Sequence, residues 1–197
     1  MSDGLVEGRC WWGASTPEYV RYHDEEWGWP VVDERGLLER MCLEGFQSGL
    51  SWLTILRKRE AFRAAFAEFE PERIATFGED DVRRLLEDAG IVRHRGKIEA
   101  AIANGHATLT LREAGTPLPA LVWSYRVDGE APRRPSDWRA STPESVALSK
   151  DLRRAGFRFV GPTTVYAAME ACGVVNDHIA ACHVRAAVQR DIDARVG

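Results

Sequence analysis

The chain has 197 residues, 45% of them hydrophobic, and a net charge of -4 with a pI near 5.8. That length buries a core without disulfides or other staples, and four scattered cysteines (Cys10, Cys42, Cys172 and Cys182) are too few for a disulfide scaffold, reading instead as buried thiols or metal ligands of a reducing compartment. No window approaches a membrane span and the stretch around Asp3 and Glu7 has no apolar run, so a soluble cytoplasmic protein is expected; the acidic total excludes a uniformly basic surface, not a nucleic-acid partner, because phosphates respond to local patches.

In chain order, the apolar stripe Leu37, Leu38, Met41 and Cys42 predicts a helix. It runs into CLEGFQSGLSW (42–52), where Glu44 precedes a loop of Gln47, Ser48 and Gly49, and Leu50 and Trp52 follow. A carboxylate near an indole suits a base taken out of the duplex, and a leucine beside a glycine can wedge into the space left behind. By itself the segment reads more simply as packing, with Leu50 and Trp52 in the core and Glu44 on a helix surface.

Pro71 and Pro143 sit at first helical positions, and Gly90, Gly156 and Gly173 close helical stretches. Val82, Leu85, Leu86 and Ala89 have amphipathic offsets, as do Ile98, Ala101 and Ile102. Between them, LLEDAGIVRHRGKIEAAI outlines a helix-hairpin-helix: Gly90 would turn with positive φ and approach a phosphate, Ile91 would pin the turn, and Arg93, Arg95 and Lys97 would supply charge. An ordinary αα-hairpin with a glycine cap fits these residues equally well. Other basic clusters, Arg57–Arg59, Arg133–Arg134 and Arg153, Arg154 and Arg158, each read alone as a solvated face.

Residues 115–143, with Pro117, Pro119, Pro132 and Pro135, predict a long irregular connection holding one short element near Val122–Tyr125. No composition shift divides the chain, and period-two alternation is almost absent, FRFV at 157–160 being too short. One all-α domain over residues 1–197 is expected. In NDHIAACHV (176–184), Asn176 and Asp177 look like caps of a helix that would place His178 and Cys182 on one face.

Taken together, RCWW, YVRYHDEEWG, CLEGFQSGLSW, DAGIVRHRGKI, LSKDLRRAGFRFVGPTTVYAAMEACGVVNDH and the closing His-x-x-x-Cys resemble the 3-methyladenine DNA glycosylase I family, from Arg9 to Cys182 and in order. The resemblance implies a helix-hairpin-helix glycosylase fold and one Zn²⁺ held by Cys10, His23, His178 and Cys182. Two cysteines and two histidines close a tetrahedron, so the metal would be structural; Cys172 and His183 fall outside the matched set. It implies a base pocket in which Glu44 reads the adenine amine edge within Trp12, Tyr19, Tyr22, Trp27 and Trp52. Gly49 and Leu50 would occupy the duplex gap, and amides around Gly90 with Arg93, Arg95 and Lys97 would grip the backbone.

The implied activity is monofunctional hydrolysis of the N-glycosidic bond of 3-methyladenine in alkylated double-stranded DNA, releasing the free base, by a monomer. Between Lys97 and Asp128 stand Glu99 and Glu113 but no aspartate, consistent with a family that lacks a helix-hairpin-helix aspartate. Phe46 and Ser48 occupy positions where relatives differ, and the tail after Cys182 has no family match and would extend the last helix. The competing readings are a non-catalytic DNA binder and a glycosylase with another alkyl-base preference.

Overall fold

The computed structural model describes residues 4–196, so Asp3 lies outside the described residues. The chain opens with a hairpin, β1 (Leu5–Val6) and β2 (Arg9–Cys10), in which Leu5 faces Cys10 and Val6 faces Arg9. This hairpin is a small departure from the all-helical expectation. After a short turn at Trp11–Ala14 come α1 (Pro17–Glu25), α2 (Glu34–Gln47) and α3 (Trp52–Ala65). Each starts on a side-chain oxygen that accepts a first-turn amide: Thr16 from Tyr19, Asp33 from Gly36, and Ser51 from Thr54.

The middle of the chain forms α4 (Pro71–Ile74), α5 (Glu79–Glu87), α6 (Arg95–Glu113) and α7 (Leu118–Trp123). The last part forms α8 (Pro143–Arg154), α9 (Pro162–Ala171) and α10 (Arg185–Val196). Pro71 and Pro143 start their helices as expected, and Gly156 (φ 106°) and Gly173 (φ 74°) follow the ends of theirs. The expected irregular stretch 115–143 contains α7 and a short turn at Pro135–Asp137. Among the described residues, no helix is long and apolar enough to cross a membrane.

Helix α2 is the centre of the fold, with every residue from Leu37 to Phe46 buried. It packs on α3, α6, α7 and α9, which is why its sequence carries no clean amphipathic stripe. At its end, Phe46 meets Phe62 at 4.6 Å between ring centroids, and Phe66 extends the stack to Phe69 at 5.7 Å. The fully buried Phe69 lies in a left-handed turn, Ala67–Phe69, with φ of 53°, 58° and 57°. Left-handed backbone costs L-residues roughly 1–2 kcal/mol each, offset here by burial of that ring.

Two local expectations are corrected. Residues 176–184 form turns rather than a helix, and helix resumes only at Arg185. The presumed capping groups are engaged elsewhere: Asp177 accepts the Tyr166 hydroxyl at 2.5 Å, and the Asn176 amide donates to Gln189 at 3.1 Å. Arg185 donates to the carbonyls of Asn176 (2.5 Å) and His178 (2.6 Å), drawing them from helical pairing. The unmatched tail is a helix of its own, α10, burying Val188 and Ile192 against Cys10, Ile179 and Cys182.

At the α5–α6 hairpin, Gly90 is not among the positive-φ glycines. A Cβ there would lie 2.9 Å from both the Ala61 Cβ and the Asp88 Oδ1. The glycine answers a close approach to α3 rather than a left-handed turn. Its amide donates to Asp88 Oδ1 at 2.7 Å, and Lys58 caps the carbonyls of Ala89 and Gly90.

Candidate active site and metal centre

The side chains of Trp12, Tyr19, Tyr22, Trp27, Glu44 and Trp52 surround one cavity of about 250 Å³. Tyr19 and Tyr22 come from α1, Glu44 from α2 and Trp52 from the first turn of α3. Tyr22 and Trp52 lie 5.5 Å apart at an interplanar angle of 43°, and Trp12 meets Trp27 edge-on at 5.0 Å. The indole nitrogens of Trp12 and Trp52 are buried without a hydrogen-bond partner. Unpaired buried donors are costly in a folded protein, and both of these indoles line the cavity, where a bound molecule or water can complete their bonding.

Glu44 is only 6% exposed. Burial pushes its carboxyl up to about 8, and Arg40 opposes this without reversing it. Arg40 stands behind the pocket, its guanidinium 5.9 Å from the Tyr22 ring centroid. It binds Glu26 at 3.2 Å, and Arg59 binds the same carboxylate through both terminal nitrogens. Burial pushes Glu26 up, but the two guanidiniums outweigh it and hold the carboxyl below its ordinary range. A fixed ionic floor thus lies under an acid whose own environment favours the neutral form.

Sequence reasoning missed Gln47, Trp138, Arg139, Ala167 and Glu170, which also line the cavity. Glu170 is the most consequential. Burial first, then Asp177 and Glu44, hold it well above the ordinary carboxylate range. Its spacing from Tyr166 and Ala167 puts it on their face of α9. Trp138 reaches the pocket by donating its indole N–H to the Asp177 carbonyl at 2.9 Å; nothing in the irregular 115–143 stretch foretold that placement.

Beside the pocket, the ligating atoms of Cys10, His23, His178 and Cys182 lie within 4.8 Å of one another, and all four residues are buried. Cys182 Sγ is 3.5 Å from His23 Nε2 and 3.6 Å from His178 Nδ1, and Cys10 Sγ is 3.8 Å from His178 Nδ1. Metal bonds of about 2.0–2.3 Å give tetrahedral edges of roughly 3.3–3.8 Å; these three edges match that range, and the four donors form a group that could hold a metal ion. The outward ring nitrogens are already engaged, His23 Nδ1 with Asp24 at 2.8 Å and His178 Nε2 with the Trp27 carbonyl at 3.0 Å. Such partners fix the ring orientation of a ligating histidine. Glycine is required alongside both rings: a Cβ on Gly13 would come 2.6 Å from His23, and one on Gly28 (φ 83°) 2.9 Å from His178.

The other expected residues divide. Gly49 (φ 80°) lies in open space, and Leu50 is 42% exposed at the tip between α2 and α3. Arg93 is exposed in the turn before α6, whereas Arg95 is tied to Glu79 and Glu99. Lys97, expected among the outward cations, is 8% exposed and points inward, donating to the carbonyls of Phe46 (2.9 Å) and Ser48 (2.6 Å). Its charge closes the end of α2 and sets the Gly49–Leu50 loop.

A family model described as methyladenine glycosylase matches residues 11–186. The chain is 48% identical to DNA-3-methyladenine glycosylase 1 of Escherichia coli (strain K12) over 88% of its length and 95% of that protein. It is 41% identical to DNA-3-methyladenine glycosylase of Haemophilus influenzae over 88% and 96% of the two chains. It superposes with TM-score 0.86 on 3-methyladenine DNA glycosylase I from Staphylococcus aureus, a structure solved for the basis of 3-methyladenine recognition, at 36% identity over 92% and 98% of the chains. The chain belongs to the methyladenine glycosylase family.

Two consequences can be measured. The unfolded chain ionises Glu44 near pH 4.5, whereas the folded chain keeps it protonated until about pH 8. Its burial therefore costs nothing below pH 4.5 and progressively more as pH rises to 8. Glu44→Gln removes that cost: its melting temperature rises relative to wild type between pH 5 and 8, by the equivalent of about 3 kcal/mol at pH 7, and a gap that stays constant with pH contradicts the assignment. Lys97→Met strands two carbonyls, costing about 1–3 kcal/mol. It lowers thermal stability and leaves the salt dependence of DNA binding unchanged; a shallower salt slope would return Lys97 to the DNA surface.

Proposed function

We propose that the chain is a monofunctional DNA glycosylase that hydrolyses the N-glycosidic bond of 3-methyladenine in alkylated double-stranded DNA. It acts as a single-domain, cytoplasmic monomer. The observation that carries this reading is a buried acid, Glu44, enclosed by Trp12, Tyr22 and Trp52 in a cavity of about 250 Å³. A protein that only grips duplex has no use for such an enclosure, whereas an extruded base needs stacking faces and an acceptor for its amine edge.

Methylation at N3 gives the base in DNA a formal positive charge, which weakens the glycosidic bond and lets the base leave neutral. With the pocket empty, Glu44 is largely protonated near neutral pH because its carboxyl is pushed up to about 8. A cationic base against it favours the carboxylate, with the proton passing to solvent. A neutral adenine offers no such compensation and also incurs the full cost of leaving a normal pair. Selection then rests on the charge of the lesion, with Glu44 recognising rather than activating water. The acids lining the cavity are Glu44 and Glu170, and neither is an aspartate.

In this reading α5, the turn at 88–94 and α6 form the helix-hairpin-helix. The Gly90 amide is already committed to Asp88, so the grip falls to the following turn and to Arg93. Gly49 and Leu50 fill the vacated position. The Cys10, His23, His178 and Cys182 set holds a structural Zn²⁺, whose binding free energy joins the folding free energy. Trp12 lies edge-on to His23 at 5.2 Å and Trp27 edge-on to His178 at 4.6 Å, so the metal would steady two pocket walls.

Chromatography of bases released from methylated duplex tests the activity. Wild-type protein is expected to release 3-methyladenine, with Glu44→Ala and Trp52→Ala each reduced at least tenfold; absence of release from folded, zinc-loaded protein refutes the reading. Metal analysis should find one zinc per chain. Chelation or Cys182→Ser should lower the melting temperature and weaken binding of free 3-methyladenine together, and a fold indifferent to both would remove the metal from the account.

A further inference from the structure

The FRFV segment between α8 and α9 has no part in the site described above, yet it holds a strained and exposed aromatic. Phe159 has φ 55° and is 41% exposed. A bulky residue with left-handed backbone is an outlier that persists only where the surroundings enforce it, and a ring left 41% exposed recovers only part of what full burial gives. The surroundings here are rigid. The buried Asn104 accepts from the Arg158 amide at 2.7 Å and donates to the Arg158 carbonyl at 3.3 Å, and the Ser149 hydroxyl donates to the Val160 carbonyl at 2.6 Å.

The loop lies between the two segments assigned to DNA. A Cβ added to Gly45 of α2 would sit 3.2 Å from the Phe159 Cβ. The Phe159 ring stands edge-on to His94, the N-cap of α6, at 6.4 Å. Phe159 and Lys97 border the same small recess, and Lys97 in turn holds the Ser48 carbonyl beside Gly49. Next to His94 and Phe159 in sequence stand Arg93 and Arg158, both exposed and, among the described residues, in no ion pair. Their neighbours Arg95 and Arg154 are paired with acids.

We propose that the Arg158–Phe159 loop is a further DNA-contacting element, in which Phe159 packs on a nucleotide beside the position filled by Leu50 and Arg158 neutralises an adjoining phosphate. The proposal rests on the base-excision reading for its orientation. The chemistry is that of an apolar side chain set against the duplex next to a free cation. Strain at Phe159 is then retained because the contact requires that ring at that place.

Phe159→Gly separates this role from a structural one, because glycine relieves the left-handed strain. The variant is expected to melt close to the wild-type temperature, relief of the strain offsetting the lost packing, and to bind free 3-methyladenine unchanged. On duplex containing a stable abasic-site analogue it should bind about tenfold more weakly. Arg158→Gln should reduce the magnitude of the slope of log affinity against log salt by about one. Phe159→Gly that binds the duplex like wild type, beside an impaired Leu50→Ala, overturns the contact and leaves excision standing. Wild-type protein that binds the duplex but releases no base overturns excision, and a loss in Phe159→Gly then still supports the contact.

Discussion

The meeting of four buried cysteine and histidine side chains, brought together from residues 10–23 and 178–182, is the constraint on which the rest depends. Cys10 and His23 come from the first segment, and His178 and Cys182 from the turns that precede α10. Their orientation is set one layer out: Asp24 holds His23 and is itself gripped by Arg9, while the Trp27 carbonyl holds His178. Because Trp12 and Trp27 pack on those same imidazoles, the geometry that suits a metal also positions the aromatic walls around Glu44. Stability and recognition share one set of contacts.

A second layer of charge supports the pocket from below. Glu26 between Arg40 and Arg59 is a partly buried ionic group in which the two guanidiniums outweigh the desolvation of the carboxylate. Its consequence is positional: Arg40 backs the Tyr22 ring and moderates Glu44, and Arg59 ties α3 to the segment after α1. Glu44 and Glu170 then face the same cavity with both carboxyls pushed upward. An empty pocket of this kind carries little negative charge near neutral pH.

Part of the helical content was legible in sequence because it rests on local chemistry: Pro71 and Pro143 start helices, Gly156 and Gly173 follow helix ends, and the offsets of Val82 and Leu85 face the core. The candidate pocket and ligand residues came from motif resemblance, and the structure brings them together. What stayed illegible is non-local. Lys97 looks like any basic hairpin residue until the carbonyls of Phe46 and Ser48 are seen to meet it. Asn176 and Asp177 have the chemistry of caps, but Arg185 and Tyr166 compete for the same groups. Trp138 and Glu170 carry no signal until α9 is laid against α2.

The junction of Cys10 with Cys182 also sets an order of events during synthesis. Trp12 and Trp27 are made early, yet the imidazole that braces Trp27 belongs to His178 and the helix that covers the cluster is α10. Helices α2 to α9 contribute to one shared core, whereas the pocket wall at Trp27 depends on a residue beyond them, His178. A chain stopped before His178 would therefore lack the imidazole that braces Trp27, and the cavity wall around Glu44 would be left unsupported on that side.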